Sequence, residues 1–440
     1  MALRDLLSLT HETRRCALPT HPRTPDVLVI GGGAIGVATA YELASAGASV
    51  TLLERGDTLA SGCSYGNTGL IRTSHTSPLA TPAAVRQALR WSLSKSSPFY
   101  VHPRPAVLPW LLRFVAATHG KRVAAATETL RALSMTGLRL HAEYARAGID
   151  TGFHAHGILD VYATEHAFHQ GIAEGQHHAA AGQRNQVLNA DELRQTAPAL
   201  SRDLVGGIYY PGDANCDPLR FVTNVGAAAQ QRGVVVQTRT EVLRFERTGS
   251  CIATVQTSQG DLHPGNVILA AGAWTPRLSR QIGVFVPLEA AKGYHVDLQR
   301  SAGDPELPIS IREARVIATP LDAALRFGGT LELDGLDLRI NPARVEAIKL
   351  AAYRTFEHTR NTPITEIWSG LRPCTPDGLP MIGWAAGFDN LIVATGHGMS
   401  GLQLAPVTGR LVAELVFHQA PSHDLQPVRP DRFTPFLGRV

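Results

Sequence analysis

The stretch DVLVIGGGAIGVATAYELASAGASVTLLERG, residues 26–56, constrains this chain more than any other. Its apolar run 27–30 suits a short parallel strand buried on both faces. Gly31, Gly33 and Gly36 follow as G-x-G-x-x-G; residues 34–46 read as a helix stopped by Gly47, and 48–53 as a second strand ending in Glu54. In such a β-α-β unit Gly31 makes the tight turn, Gly33 lets backbone approach a pyrophosphate, and Gly36 lets helix and strand pack closely. The free N–H groups and dipole of the helix N-terminus favour that anion. Glu54, eighteen residues after Gly36, is spaced to accept hydrogen bonds from ribose hydroxyls. An acid there disfavours a 2′-phosphate, which leaves NAD and FAD open.

A second match, GHGMSG at 396–401, lies between an apolar run at 391–395 and a helical pattern at about 402–417. No second strand ending in an acid follows. Glu414 lies inside the helical pattern, and a Pro-containing tail begins at Pro421. The second motif is therefore not a second complete dinucleotide site. A turn at a helix N-terminus still stabilises negative charge on a polar ring, so the two motifs are read as gripping one FAD, its pyrophosphate at the first and its flavin ring at the second.

At 440 residues the chain exceeds one hydrophobic core and predicts two domains or three. Its net charge of +4 is spread without a dense Lys/Arg run, which argues against a nucleic-acid partner. Cys16, Cys63, Cys216, Cys251 and Cys374 contain no C-x-x-C pair, which argues against a disulfide framework and a zinc site and for a reducing compartment. The histidines show no metal-ligand spacing, so no metal is expected. No apolar run reaches the ~18 residues of a membrane span. Residues 1–25 lack a signal-peptide core and read as a poorly ordered extension. VLPWLLRFVAATHG, 107–120, is apolar over more than one face, as fits a helix packed on its own protein or on a membrane surface.

Four further stretches carry a family resemblance: SGCSYGNTGLI (61–71), VILAAGAWTPRL (267–278), GLRPCTPDGLPMIG (370–383) and GHGMSGLQLAP (396–406). Together with the first motif they resemble the FAD-dependent D-amino-acid oxidase superfamily. The segment 66–115 is most similar to the bacterial D-amino-acid dehydrogenases of small-subunit type. The resemblance implies an α/β fold: a Rossmann-type FAD-binding domain with an interleaved α+β substrate domain that carries an antiparallel sheet. It puts 26–92, 186–283 and 366–418 in the FAD-binding domain, 93–185 and 284–365 in the substrate domain, and 419–440 in an irregular tail.

The implied cofactor is FAD, held without a covalent bond, because Cys374 falls a few residues off the position where some sarcosine oxidases attach their flavin. The implied FAD contacts are Gly31, Gly33, Ala34, Ile35 and Gly36 at the first turn, with Glu54 and Arg55 after the second strand. Ser61, Ser64, Asn67, Gly69 and Leu70 belong to the loop over the flavin, and Val242, Ala271 and Gly272 to later segments. Arg372 and the second turn, His397, Gly398, Met399, Ser400, Gly401 and Leu402, complete the set. Arg372, Arg326 and Tyr294 are the candidates for the substrate, an arginine being the natural bidentate clamp for a carboxylate.

The implied reaction is oxidation of the α-C–N bond of D-amino acids or related secondary amines, such as D-proline or D-hydroxyproline, by hydride transfer to flavin N5. Electrons would pass to a non-oxygen acceptor such as a membrane quinone. An oxygen-using amine oxidase of the glycine or sarcosine type and an FAD-binding assembly subunit are the alternatives. The implied setting is cytoplasmic, peripheral on the inner membrane, as an oligomer or hetero-complex.

Overall fold

The computed structural model describes residues 25–82, 85, 99–102, 104–180 and 182–434. The extension at 1–24, Cys16 and the last six residues of the tail lie outside them.

The first motif folds as its pattern requires. Strand β1 (Val27–Ile30), helix α1 (Ala34–Ser45) and strand β2 (Val50–Leu53) form a parallel unit with Val27 opposite Val50 and Ile30 opposite Leu53. Every residue of both strands is buried, which is why they read as continuous apolar runs. They lie inside a six-stranded sheet ordered Met381–Trp384, Leu391–Thr395, Asn266–Leu269, β1, β2, Val235–Gln237. All neighbours are parallel except the edge strand Met381–Trp384. Helix Pro218–Gln231 begins where Asp217 accepts from the backbone N–H groups of Leu219 (2.8 Å) and Arg220 (3.0 Å), with Pro218 at the first position. The C-terminal helix Gly401–Val416 packs on α1 so closely that a Cβ at Gly409 would lie 2.6 Å from the Ala38 carbonyl oxygen.

A nine-stranded sheet forms the second layer. Three of its strands carry the residues proposed for the substrate. The Arg372 strand (Ile364–Cys374) lies at one edge, the Tyr294 strand (Glu289–Gln299) pairs with it, and the Arg326 strand (Ala324–Leu333) follows. The remaining order is Val316–Pro320, Ile309–Ile311, Ile158–Tyr162, Gly206–Tyr210, Gln186–Asn189, with Phe99–Val101 beside the Arg326 strand. The sheet is antiparallel except where Ile309–Ile311 meets Ile158–Tyr162 and where Phe99–Val101 meets the Arg326 strand.

Two expectations need correction. The segment 186–283 does not lie wholly with the parallel sheet, because Gly206–Tyr210 pairs antiparallel with both Ile158–Tyr162 and Gln186–Asn189, which ties those strands to the larger sheet. The boundary at 366 likewise cuts through the Arg372 strand, which is continuous to Cys374. The cysteine expectation also changes: Cys63, Cys216 and Cys374 are free thiols, whereas Cys251 is disulfide-bonded.

Helix Leu108–Ala117 buries Trp110, Phe114 and Ala117 against its own protein, with the Trp110 indole N–H donating to the Cys374 carbonyl oxygen (3.0 Å). No helix among the described residues is long and apolar enough to cross a membrane. The tail from residue 419 holds two short 3₁₀ turns and is tied down by Arg432, which pairs with Asp377 at 2.8 and 3.0 Å.

The close approach at Gly409 is testable. Gly409→Ala gains roughly 1 kcal/mol of helix propensity but sets its methyl against a carbonyl that cannot turn aside, an overpacking cost of about 1–3 kcal/mol. A lower denaturant midpoint is expected; an unchanged or raised one would show that the two helices can separate freely.

Candidate functional site

The site begins at the turn between β1 and α1. Gly31 has φ +116°, and a Cβ there would lie 2.5 Å from the Ala270 carbonyl oxygen, so the position admits only glycine. A Cβ on Gly36 would lie 1.8 Å from the Gly31 carbonyl oxygen, which makes Gly36 the residue that lets α1 start against β1. Gly33 caps α1 without any side-chain bond. Ser64 Oγ accepts from the Ala34 N–H at 3.0 Å and so draws the following loop over the helix start.

Glu54 closes the end of β2. One of its carboxylate oxygens accepts from Gly32 N–H (2.8 Å), the other from Gly56 N–H (2.7 Å) and the Ser61 hydroxyl (2.9 Å). An ionised carboxylate offers about four acceptor positions, so capacity remains for a ligand hydroxyl.

A cavity of about 410 Å³ lies between the two layers. From the parallel-sheet side it is lined by the first turn, by Glu54 and by Arg55, whose guanidinium lies over the Trp274 ring at 3.9 Å. The larger sheet supplies Gly293, Gly328, Trp368, Gly370 and Arg372. Of the residues proposed from sequence, Gly31, Gly33, Ala34, Ile35, Ser61, Ser64, Asn67, Val242, Ala271 and Gly272 also border it. So do His397, Gly398, Met399, Gly401 and Leu402 of the second turn.

Six of the expected residues do not border the cavity. Gly36 acts through helix–strand packing. Gly69 has φ +75° and its missing Cβ faces the Cys216 carbonyl oxygen at 2.1 Å, Leu70 pairs with Asn215, and Ser400 N–H donates to the His397 carbonyl oxygen at 2.9 Å. Tyr294 is excluded by the pleat. Gly293 faces the cavity, so its neighbour projects from the opposite face, where its hydroxyl donates to Glu332. Arg326 is committed elsewhere: its guanidinium pairs with Asp297 at 2.8 and 2.9 Å and donates to the Tyr65 (2.7 Å) and Asn67 (3.2 Å) carbonyl oxygens. It fastens the loop to the sheet and is not a free clamp.

Arg372 is in the opposite situation. Its guanidinium lies over Gly293, where a Cβ would come within 2.0 Å of it, and one N–H donates to the Thr330 carbonyl oxygen at 2.9 Å. Burial pulls its pKa down, opposed only by the Cys374 and Cys63 thiols. Among the described residues no ion pair to a carboxylate is formed by Arg372. A buried guanidinium of this kind, still protonated, is stabilised strongly by an incoming anion.

At the second turn His397 is buried, its Nε2 paired with the Thr408 hydroxyl at 2.9 Å and its Nδ1 without a partner. Burial pushes its pKa down to about 3, so the ring is neutral. A backbone bridge between His397 and Cys374 holds this turn against the Arg372 strand. The sequence reading missed Gly293, Gly328, Trp368 and Gly370. The available signal was the spacing of Trp368, Gly370 and Arg372, alternate residues that share one face of a strand.

Comparisons with known proteins show the family and the fold. The family described as FAD dependent oxidoreductase matches residues 26–415. A D-amino acid dehydrogenase of Paramagnetospirillum magneticum is 33% identical over 420 residues, 93% of this chain and 99% of that protein. One of Chromohalobacter salexigens is 30% identical over 91% of this chain and 97% of its own length. Among solved structures, glycine oxidase from Geobacillus kaustophilus superposes with a TM-score of 0.76 at 24% identity, covering 93% of this chain and 99% of that one. L-proline dehydrogenase from P. horikoshii does so with 0.75 at 20%, covering 94% and 98%.

Glu54→Ala is expected to weaken cofactor binding about 10- to 150-fold, the equivalent of the roughly 1.5–3 kcal/mol carried by a hydrogen bond to a charged group. Titration of the apoprotein with flavin dinucleotide, followed by fluorescence quenching, measures it. Unchanged affinity would leave Glu54 with only its internal bracing of Gly32, Gly56 and Ser61.

Proposed function

Because the chain belongs to the family of FAD dependent oxidoreductases, we propose that it oxidises the α-carbon–nitrogen bond of a D-amino acid or related secondary amine, D-proline and D-hydroxyproline included, to the imino acid. The observation that carries this reading is Arg372, a buried guanidinium on the cavity wall with no carboxylate partner among the described residues. The names of the D-amino acid dehydrogenase relatives support the substrate class.

The residues present fit FAD. The glycine turn leaves backbone room for a pyrophosphate, Glu54 offers free acceptor capacity toward a ribose, and the unpartnered His397 Nδ1 is a buried polar atom on the wall formed by the second turn. Bound there, FAD supplies the acceptor for the hydride that leaves the substrate α-carbon. The protein does the rest. The planar fork of Arg372 takes the substrate carboxylate, and its burial strengthens that pair by excluding water. Thr330 fixes the fork through its carbonyl oxygen. Among the described residues the carboxylates on the cavity wall, Glu54 and Glu241, belong to the parallel-sheet side, and none of them stands beside Arg372 to hold an ammonium group. Desolvation next to a guanidinium favours the neutral amine that the oxidation needs.

The attachment of the flavin follows from the thiols. Burial pushes the Cys374 pKa up to about 12, and Cys374 does not border the cavity. Cys63, the free thiol that does border the cavity, is likewise pushed up by burial. Thiols in that state are poor nucleophiles at neutral pH, which supports a flavin held without a covalent bond. Acid or heat is expected to release free FAD from the yellow protein; flavin that stays with the precipitate would overturn this.

We take the acceptor to be a quinone or similar non-oxygen compound, with the protein cytoplasmic and resting on the inner membrane through the Leu108–Ala117 helix. That helix leaves Leu108, Leu112 and Val115 exposed at 56%, 63% and 53%. Hydrogen peroxide formed in air as fast as a quinone analogue is reduced would overturn the acceptor assignment.

Arg372→Lys keeps the charge and loses the fork. Apparent substrate affinity is expected to fall about 10- to 150-fold with flavin content unchanged, read from anaerobic bleaching of the flavin absorbance. A flavin-replete variant with wild-type affinity would remove Arg372 from the carboxylate role.

A further inference from the structure

We infer that Trp368 sets the upper size of the substrate side chain, so that the site takes amino or imino acids with short or cyclic apolar side chains. The inference rests on the amine-oxidising reading above and adds its selectivity.

Pairing in the larger sheet defines the relevant face. Glu366, Trp368, Gly370 and Arg372 stand opposite Asp297, His295, Gly293 and Ala291 in successive rows. Two long side chains lean over the row of two glycines. The Arg372 guanidinium lies over Gly293, and the benzo edge of Trp368 lies over Gly370, where a Cβ would come within 1.9 Å of Cη2. A carboxylate held by Arg372 therefore has the indole as its neighbouring wall along the strand.

The indole also reaches across the cavity. A Cβ on Gly66, in the loop over the cleft, would lie 1.9 Å from Trp368 Cζ3. The ring thus spans from loop backbone to strand backbone with no room on either side, and no side chain passes it without displacing it.

Displacement is opposed by a brace. His295 stacks on the indole with centroids 5.3 Å apart and planes 14° apart, and Tyr65 meets it edge-on at 5.8 Å. Glu366 joins the two, bonded to His295 Nε2 at 2.9 Å and to the Tyr65 hydroxyl at 2.8 Å. The Tyr65 carbonyl oxygen is held in turn by Arg326, itself locked to Asp297. Rotating the indole would break ring contacts in this set, so Trp368 acts as a fixed wall.

The test is a panel of D-alanine, D-proline, D-leucine and D-phenylalanine, with kcat/KM measured against an artificial acceptor for the wild type, Trp368→Phe and Trp368→Ala. The wild type is expected to favour D-alanine and D-proline. The ratio of kcat/KM for D-phenylalanine over D-alanine should rise at least about 10-fold in Trp368→Ala, the scale of discrimination by an apolar wall, and less in Trp368→Phe. Flavin content reports folding, and if Trp368→Ala loses its flavin the Phe variant and the wild-type panel still decide. Flavin-replete variants with an unchanged ratio, or a wild type that takes D-phenylalanine as readily as D-alanine, would overturn the inference while Arg372→Lys still upholds the amine-oxidising reading. A wild-type flavin that no amino or imino acid bleaches would overturn that reading and this inference together.

Discussion

The start of α1 against β1 is the contact on which the rest of the site depends. Without a side chain at Gly36 the helix begins within contact of the Gly31 carbonyl, and without one at Gly31 the chain turns beneath the Ala270 carbonyl. That places the helix N-terminus, with its free N–H groups, on the cavity wall. It also aligns β1 with β2, so that Glu54 emerges where it can accept from Gly32. A single Cβ at either glycine would push the strand, the helix or both, and the acid would lose its geometry with them.

The loop that covers the cavity is held at both ends by buried charge. Near its start, Arg326 spans from Asp297 in the sheet to the Tyr65 and Asn67 carbonyl oxygens. Beyond its end, one oxygen of the Asp213 carboxylate accepts from the backbone N–H groups of Thr73 (2.8 Å) and Ser74 (3.0 Å), while Arg72 pairs with Asp160 at 3.0 Å. Removing one partner from pairs like these leaves an uncompensated buried charge and is strongly destabilising. The roof of the cavity is therefore fixed relative to the sheet below it, as a site must be if it is to orient a small substrate by one carboxylate and one wall.

How much of this was legible follows from the range of each interaction. The β-α-β unit, the Asp217 cap and the second turn are local, and their residues, spacing and conformations lie within one stretch of chain. The fate of the two arginines is not local. Arg326 is neutralised by Asp297, 29 positions away, and bonded to Tyr65, 261 positions away. The GLRP signature at 370–373 marks Arg372, but nothing beside Arg326 in sequence shows that its charge is already answered. The Tyr294 strand defeated the reading for another reason. Tyr294, Val296 and Leu298 alternate with His295 and Asp297, but all but the two end residues are buried, so the alternation does not show which face meets the cavity, and a shift of one residue exchanges Tyr294 with Gly293. Gly293, Gly328 and Gly370 escaped notice because a glycine in a strand carries no chemistry of its own; its importance appears only when another side chain is seen to lie on it.

The same logic explains why, of Arg326 and Arg372, the one without a carboxylate partner among the described residues is the one that borders the cavity. A guanidinium in a dry wall is costly unless its charge is answered. The protein answers Arg326 completely, with a carboxylate and two carbonyl oxygens, and that arginine serves architecture. It answers Arg372 with one carbonyl oxygen and two thiols, leaving most of the fork's donors for a ligand. The deficit is local, and the structure around it is over-determined: Thr330 on one side, Gly293 beneath, the braced indole of Trp368 alongside. An anion that satisfies the fork therefore enters a space whose other dimensions are already set. Affinity then comes from the charge, and selectivity from the walls.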